Sequence, residues 1–194
     1  MIHLVPIFAI FLIAYSNVLN KFYSRKLVHL GCGLVMAKIN YPNVPLKYVI
    51  LTIAAVSVLV SFVRPFPFGN KNDIGIISYN LTIIAFILMN LPIRILLPMF
   101  VVDPMASIVG CNIKSPVWIH TKTVFGSLAC FFFSMITLYY VNNIYHRLIL
   151  SVILTLTEGL LEYSDNVGII FTLTTYYFLA TKYNYPIDLD FKLL

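Results

Sequence analysis

Acidic side chains are scarce in this chain. Seven Asp and Glu occur in 194 residues, and charged residues of both signs make up 10%, against roughly 25% in an ordinary soluble domain. With 60% hydrophobic residues and a mean hydropathy of +0.92, that scarcity excludes a soluble globular domain and points to an integral membrane protein. Cysteine is nearly absent too. Cys32, Cys111 and Cys130 are odd in number and show no CxxC spacing, so neither a disulfide framework nor a zinc site is supported. The first apolar run, Ile2 to about Val18, lacks a basic start and a small-residue cleavage pattern, and is expected to be a retained first span. Long basic runs are missing as well. The 13 Lys and Arg residues are dispersed, and their net charge of +6 reads as loop charges near lipid headgroups, with no nucleic-acid partner.

What is present is a succession of apolar segments. With the roughly 20-residue spanning length as guide, about eight fall near 2–19, 26–39, 46–63, 74–91, 93–110, 123–141, 147–164 and 166–181. No repeat or long linker divides them. The expectation is therefore an all-α, polytopic membrane helix bundle of about seven to eight transmembrane segments, forming one domain over residues 1–194. Eight crossings place seven basic residues on one face and six on the other, too even a split to orient the chain by the positive-inside rule. The same threading puts the polar clusters at one membrane surface, as one shared site would require.

The stretch from Asp103 to Ala129 is the most polar part of this neighbourhood. An acid in an apolar setting is costly and is treated as functional by default. Asp103 followed by Pro104 has the form of an N-cap and first helical turn, which implies a broken span restarting at that depth. Asp103, Ser107 and Gly110 then share one face. Lys122 and Thr123 open another helix, whose first turn, with Gly126 and Ser127, makes a candidate phosphate site alongside Lys114. Ala106, Ser107, Gly126, Ser127 and Ala129 also read as small residues that let two helices pack closely.

Three further clusters accompany it. Arg25, Lys26 and His29 share a face at the start of the second segment, and also read as a snorkelling boundary pair with a locally bonded histidine. Asp73 to Tyr79 reads as a helix N-terminus. Glu158, Glu162 and Asp165, at i, i+4 and i+7, would repel one another on one helical face unless a divalent cation and a basic residue joined them. Glu162 and Asp165 read equally as a helix end emerging into water.

The elements RKLVHL (25–30), DIGIISY (73–79), DPMASIVG (103–110), KTVFGSLA (122–129) and TEGLLEYSDN (157–166), in this order, resemble the CTP-dependent polyprenol and lipid kinases. That family includes phytol kinase, dolichol kinase and the yeast-type diacylglycerol kinase, and is related to the phosphatidate cytidylyltransferases. The family-like core covers residues 21–182. Val102 stands where the family commonly has glycine, and Phe125 where it has glutamate. The resemblance implies transfer of the terminal phosphate of CTP to the hydroxyl of a long-chain isoprenoid alcohol or diacylglycerol, in an unspecified cell membrane. It implies Asp103, Lys122 and Asp165 as catalytic residues, with Asp103 and Asp165 on Mg²⁺ or another divalent cation, or Asp103 instead accepting the hydroxyl proton. Arg25, Lys26, Ser107, Lys114, Thr123, Gly126 and Ser127 would meet nucleotide or phosphate, and His29, Glu158 and Asn166 would complete the polar wall. The alternatives are cytidylyl transfer to phosphatidate, a membrane transporter with an acidic path, and an inactive homologue that binds lipid or nucleotide.

Overall fold

The computed structural model describes residues 4–16, 18–39, 44–161 and 165–189. Among the described residues the apolar segments form eight α-helices: α1 Val5–Tyr15, α2 Lys21–Lys38, α3 Val44–Val63, α4 Ile74–Leu88, α5 Leu97–Asn112, α6 Val124–Thr137, α7 Ile144–Leu160 and α8 Asp165–Lys182. A 3-10 turn, Ile93–Leu96, leads into α5. Apart from an antiparallel hairpin between α5 and α6, β1 Val117–Ile119 with β2 Lys122–Thr123, the architecture is all-α. His120, at φ 47°, turns that hairpin.

Contacts gather the chain into two compact units, Met1–Ile93 and Arg94–Leu194. In the first, α1 packs on α2 and α3 on α4. In the second, α5 packs on α6, α6 on α7 and α7 on α8, and α5 also touches α8. Val102 and Ala106 of α5 and Cys130 of α6 form a buried cluster against which Phe133 packs.

Helix starts follow from polar caps. Asn20, Asp73, Thr123 and Asn143 each accept a backbone N–H from the first turn of α2, α4, α6 and α7 respectively. Arginines tie down link carbonyls in the second unit. Arg147 donates to the Val141 and Tyr139 carbonyls, at 2.7 Å and 3.0 Å, and Arg94 to that of Leu189 at 2.5 Å.

Two sequence expectations are corrected. α5 does not restart at Asp103: it runs unbroken from Leu97 to Asn112 with Pro104 inside it, and Asp103 is not its cap. The proline that occupies the first turn, where a missing N–H is harmless, is Pro98. An interior proline costs about 3 kcal/mol. Here the buried contacts of Val102, Asp103 and Ala106 hold the helix together through it. Secondly, Glu158 and Asp165 do not share one helical face, because α7 ends at Leu160 and α8 begins at Asp165. Glu162 lies outside the described residues. α2 also begins at Lys21, five residues before the expected 26, so Arg25, Lys26 and His29 sit within it.

Among the described residues, two helical stretches are long and apolar enough to cross a membrane, Pro45–Val63 and Ile93–Asn112, the second including the 3-10 turn. Val5–Tyr15, Ile74–Leu88 and Val124–Thr137 are apolar but shorter.

Candidate functional site

In the second unit, the hairpin delivers Lys122 to carboxylates from two different helices. Its Nζ pairs with Glu158 Oε1 of α7 and, at 3.2 Å, with Asp165 Oδ2 at the start of α8. Side-chain exposure is 19% for Lys122, 4% for Glu158 and 19% for Asp165, so the triad is largely withdrawn from solvent. Glu158 also lies within the electrostatic reach of Asp103 on α5. Two helices and the hairpin thus bring two acids to one ammonium group, and the third acid, Asp103, acts on Glu158. Burial alone would lower the Lys122 pKa. The Glu158 carboxylate, and after it Asp165, outweigh that and hold it above the ordinary lysine value.

Asp103 is 7% exposed, and Ser107, one turn on, donates to its Oδ1 at 3.4 Å, as the shared face required. Asn166 is 8% exposed, and its amide oxygen has no hydrogen-bond partner among the described residues. Its backbone N–H donates to Asp165 Oδ1 at 2.8 Å.

The first turn of α6 is a helix start, as expected, but its donors are already used. Val124 N–H reaches the Pro116 carbonyl at 3.0 Å, Phe125 N–H reaches Ser115 Oγ at 3.0 Å, and Gly126 N–H reaches Thr123 Oγ1 at 3.2 Å. Ser127 Oγ accepts from Trp118 Nε1 at 2.8 Å. A phosphate there would have to displace these partners. Gly126 is buried because α5 lies against it: a Cβ at this position would stand 3.2 Å from the Ala106 carbonyl oxygen and 3.4 Å from Gly110 Cα. Close helix packing therefore accounts for Gly126, Ala106 and Gly110. Lys114 stands exposed on the link from α5 to β1.

The first unit holds the other expected cluster. Arg25 Nη2 pairs with Asp73 Oδ1 at 2.8 Å. Asp73 also accepts the N–H groups of Ile76 and Asn70, each at 3.2 Å, so one buried carboxylate caps α4, closes the preceding link and ties both to α2. A Cβ on Gly75 would come within 2.5 Å of Arg25 Nη2, so a larger residue there would shift the arginine that pairs with Asp73. His29 meets Tyr79 edge to face at 4.8 Å, and the Tyr79 hydroxyl donates to the His29 carbonyl at 3.3 Å. Lys26 Nζ lies 6.0 Å from the Phe22 ring centre.

The expected Mg²⁺ ligands, Asp103 and Asp165, are hard oxygen donors of the right chemistry. Their arrangement does not fit an ion held beside Glu158, because the Lys122 ammonium takes the position that a cation between Glu158 and Asp165 would need. Among the described residues no group of three or more His, Cys, Asp or Glu side chains is gathered for a metal. Sequence reasoning missed the hairpin and with it Trp118 and Ser115. The available signal was the run of β-branched and aromatic residues Val117-Trp118-Ile119 just after Pro116. No family model, curated protein or solved structure matches this chain.

Proposed function

We propose that the chain is a polytopic membrane enzyme of about seven to eight spans that transfers the terminal phosphoryl group of CTP, supplied with its Mg²⁺, to the hydroxyl of a long-chain isoprenoid alcohol or diacylglycerol. The observation that carries this reading is the meeting of Lys122 with Glu158 and Asp165, within the electrostatic reach of Asp103, inside a unit of apolar helices. These residues come from three of the five elements that resemble the lipid kinases.

Phosphoryl transfer asks mainly for positioning and for cations on the phosphates. Lys122 is the group suited to the transferred phosphate, which would compete with Glu158 and Asp165 for its ammonium. Asp103 is suited to orient the attacking hydroxyl or accept its proton. Membrane placement is supported by the two span-length helices and by large apolar side chains left open to the surroundings, among them Val63, Phe171 and Leu12.

The test is to give purified protein CTP labelled at its terminal phosphate, with phytol, dolichol and diacylglycerol in turn. Label entering lipid supports the kinase. Label leaving as pyrophosphate when phosphatidate is supplied would support cytidylyl transfer instead. A second reading, a nucleotide- or lipid-binding homologue without turnover, is favoured by the occupied first turn of α6 and by Phe125. It gives nucleotide binding with no label in either product.

A further inference from the structure

We propose that the start of α2 and the link between α3 and α4 form a cationic face for anionic lipid headgroups, and that this end of the first unit lies at the cytoplasmic leaflet. The inference rests on the membrane placement proposed above and is independent of catalysis.

The formal charge of +6 is unevenly divided. Residues 1–93 contain seven Lys and Arg against one acid, Asp73, a net +6; residues 94–194 contain six against six, a net of zero. Within the first unit the cations are again gathered. Lys21, Arg25 and Lys26 lie in the first two turns of α2, Arg64 directly follows α3, and Lys71 lies in the link that leads to α4.

Hydrogen bonds bring these segments to one end. Lys21 Nζ donates to Asn70 Oδ1 at 2.6 Å, Asn72 N–H folds back onto the Ser61 carbonyl at 3.0 Å, and Arg25 pairs with Asp73. Phe66 and Phe68 stack at 5.2 Å between ring centres and rest against Phe11 of α1, at 5.9 and 6.1 Å, which fixes the link in place. Lys21, Arg64 and Lys71 are exposed.

The remaining cations, Lys38 in the last turn of α2 and Lys47 in the first turn of α3, belong to the far end, where Lys47 donates to Asn90 at the close of α4. Five cations thus stand against two. An even count over the whole chain conceals a strong bias within this unit, and the bias is of the kind that orients membrane proteins and draws anionic headgroups. Asp73, the one acid of the first unit, is 6% exposed and paired with Arg25, which leaves the exposed Lys21, Arg64 and Lys71 outside that ion pair.

The experiment uses the full chain in nanodiscs of phosphatidylcholine and phosphatidylserine in equal amounts. Lipids retained on the protein are counted by native mass spectrometry. Wild type should retain phosphatidylserine in excess, the excess shrinking as salt rises. K21Q/R64Q/K71Q should reduce it on the order of tenfold, whereas K38Q/K47Q should keep most of it. Inorganic phosphate at matched ionic strength should not abolish it; abolition would mean a free-phosphate pocket and overturn the headgroup assignment. Equal loss in both variants, or no excess in wild type, also overturns the proposal. If the protein leaves the membrane fraction under alkaline carbonate, the membrane placement itself has failed. If it stays embedded but shows no excess, only this inference has.

Discussion

Replacing Lys122 by methionine keeps the length of the side chain and removes its charge, leaving Glu158 buried beside two other acids. Glu158 is 4% exposed and Lys122 19%, so solvent screens this interaction far less than it does a surface pair. Breaking a buried ion pair from one side costs about 3–5 kcal/mol, chiefly because the remaining charge is uncompensated. The partial exposure of Lys122 and Asp165 argues for the lower end, about 3 kcal/mol. Removing both charges should cost less, since K122M/E158Q leaves only the more exposed Asp165 without its cation. The four proteins of this double-mutant cycle can be compared by unfolding in mixed micelles of a mild detergent and SDS. A coupling of about 2 kcal/mol between the two positions is expected. If K122M unfolds within about 0.5 kcal/mol of wild type, as an exposed substitution would, the triad is not the buried ionic centre described here.

The same triad sets a pH dependence. The folded pKa of Lys122 is raised, so its stabilisation is fully present below the ordinary lysine value and is lost as pH rises through the raised one. Wild type should therefore lose stability at strongly alkaline pH through a step that K122M lacks, measured as midpoint against pH for both. T123A removes the α6 cap and should cost about 1 kcal/mol, with T123S retaining most of it in the same unfolding assay. G126A places a methyl group against the backbone of α5 and should destabilise by about 1–3 kcal/mol, whereas the exposed L128A should be nearly neutral. R25M should loosen the link between α3 and α4, read as faster amide exchange over residues 70–76 than in wild type.

Much of the helical layout was legible because its signals are local. Apolar runs gave all eight helices, and Asp73 and Thr123 marked two starts correctly. The misreadings lie where tertiary packing decides. Pro104 has the appearance of a helix start, and only the contacts of its buried neighbours carry α5 through it. A break was expected at 165, but α7 already ends at Leu160, so acids spaced for one continuous face are divided between α7 and α8. The site was legible in its parts. Sequence spacing showed that Glu158 needs a basic partner, but the identity of that partner, Lys122 from a hairpin 36 residues earlier, is a matter of topology. Arg25 and Asp73 were likewise noted separately, and their pairing appears only once α2 lies beside α4.

The most direct test compares wild type and D103N, matched for unfolding midpoint, in transfer of terminal-phosphate label from CTP to a lipid alcohol. Label should enter lipid from wild type, at a rate lower by about a hundredfold in D103N, the scale of losing a charge-positioning group at a phosphoryl-transfer centre. Equal rates in the two proteins would contradict it, and so would the absence of labelled lipid from wild type across all the acceptors.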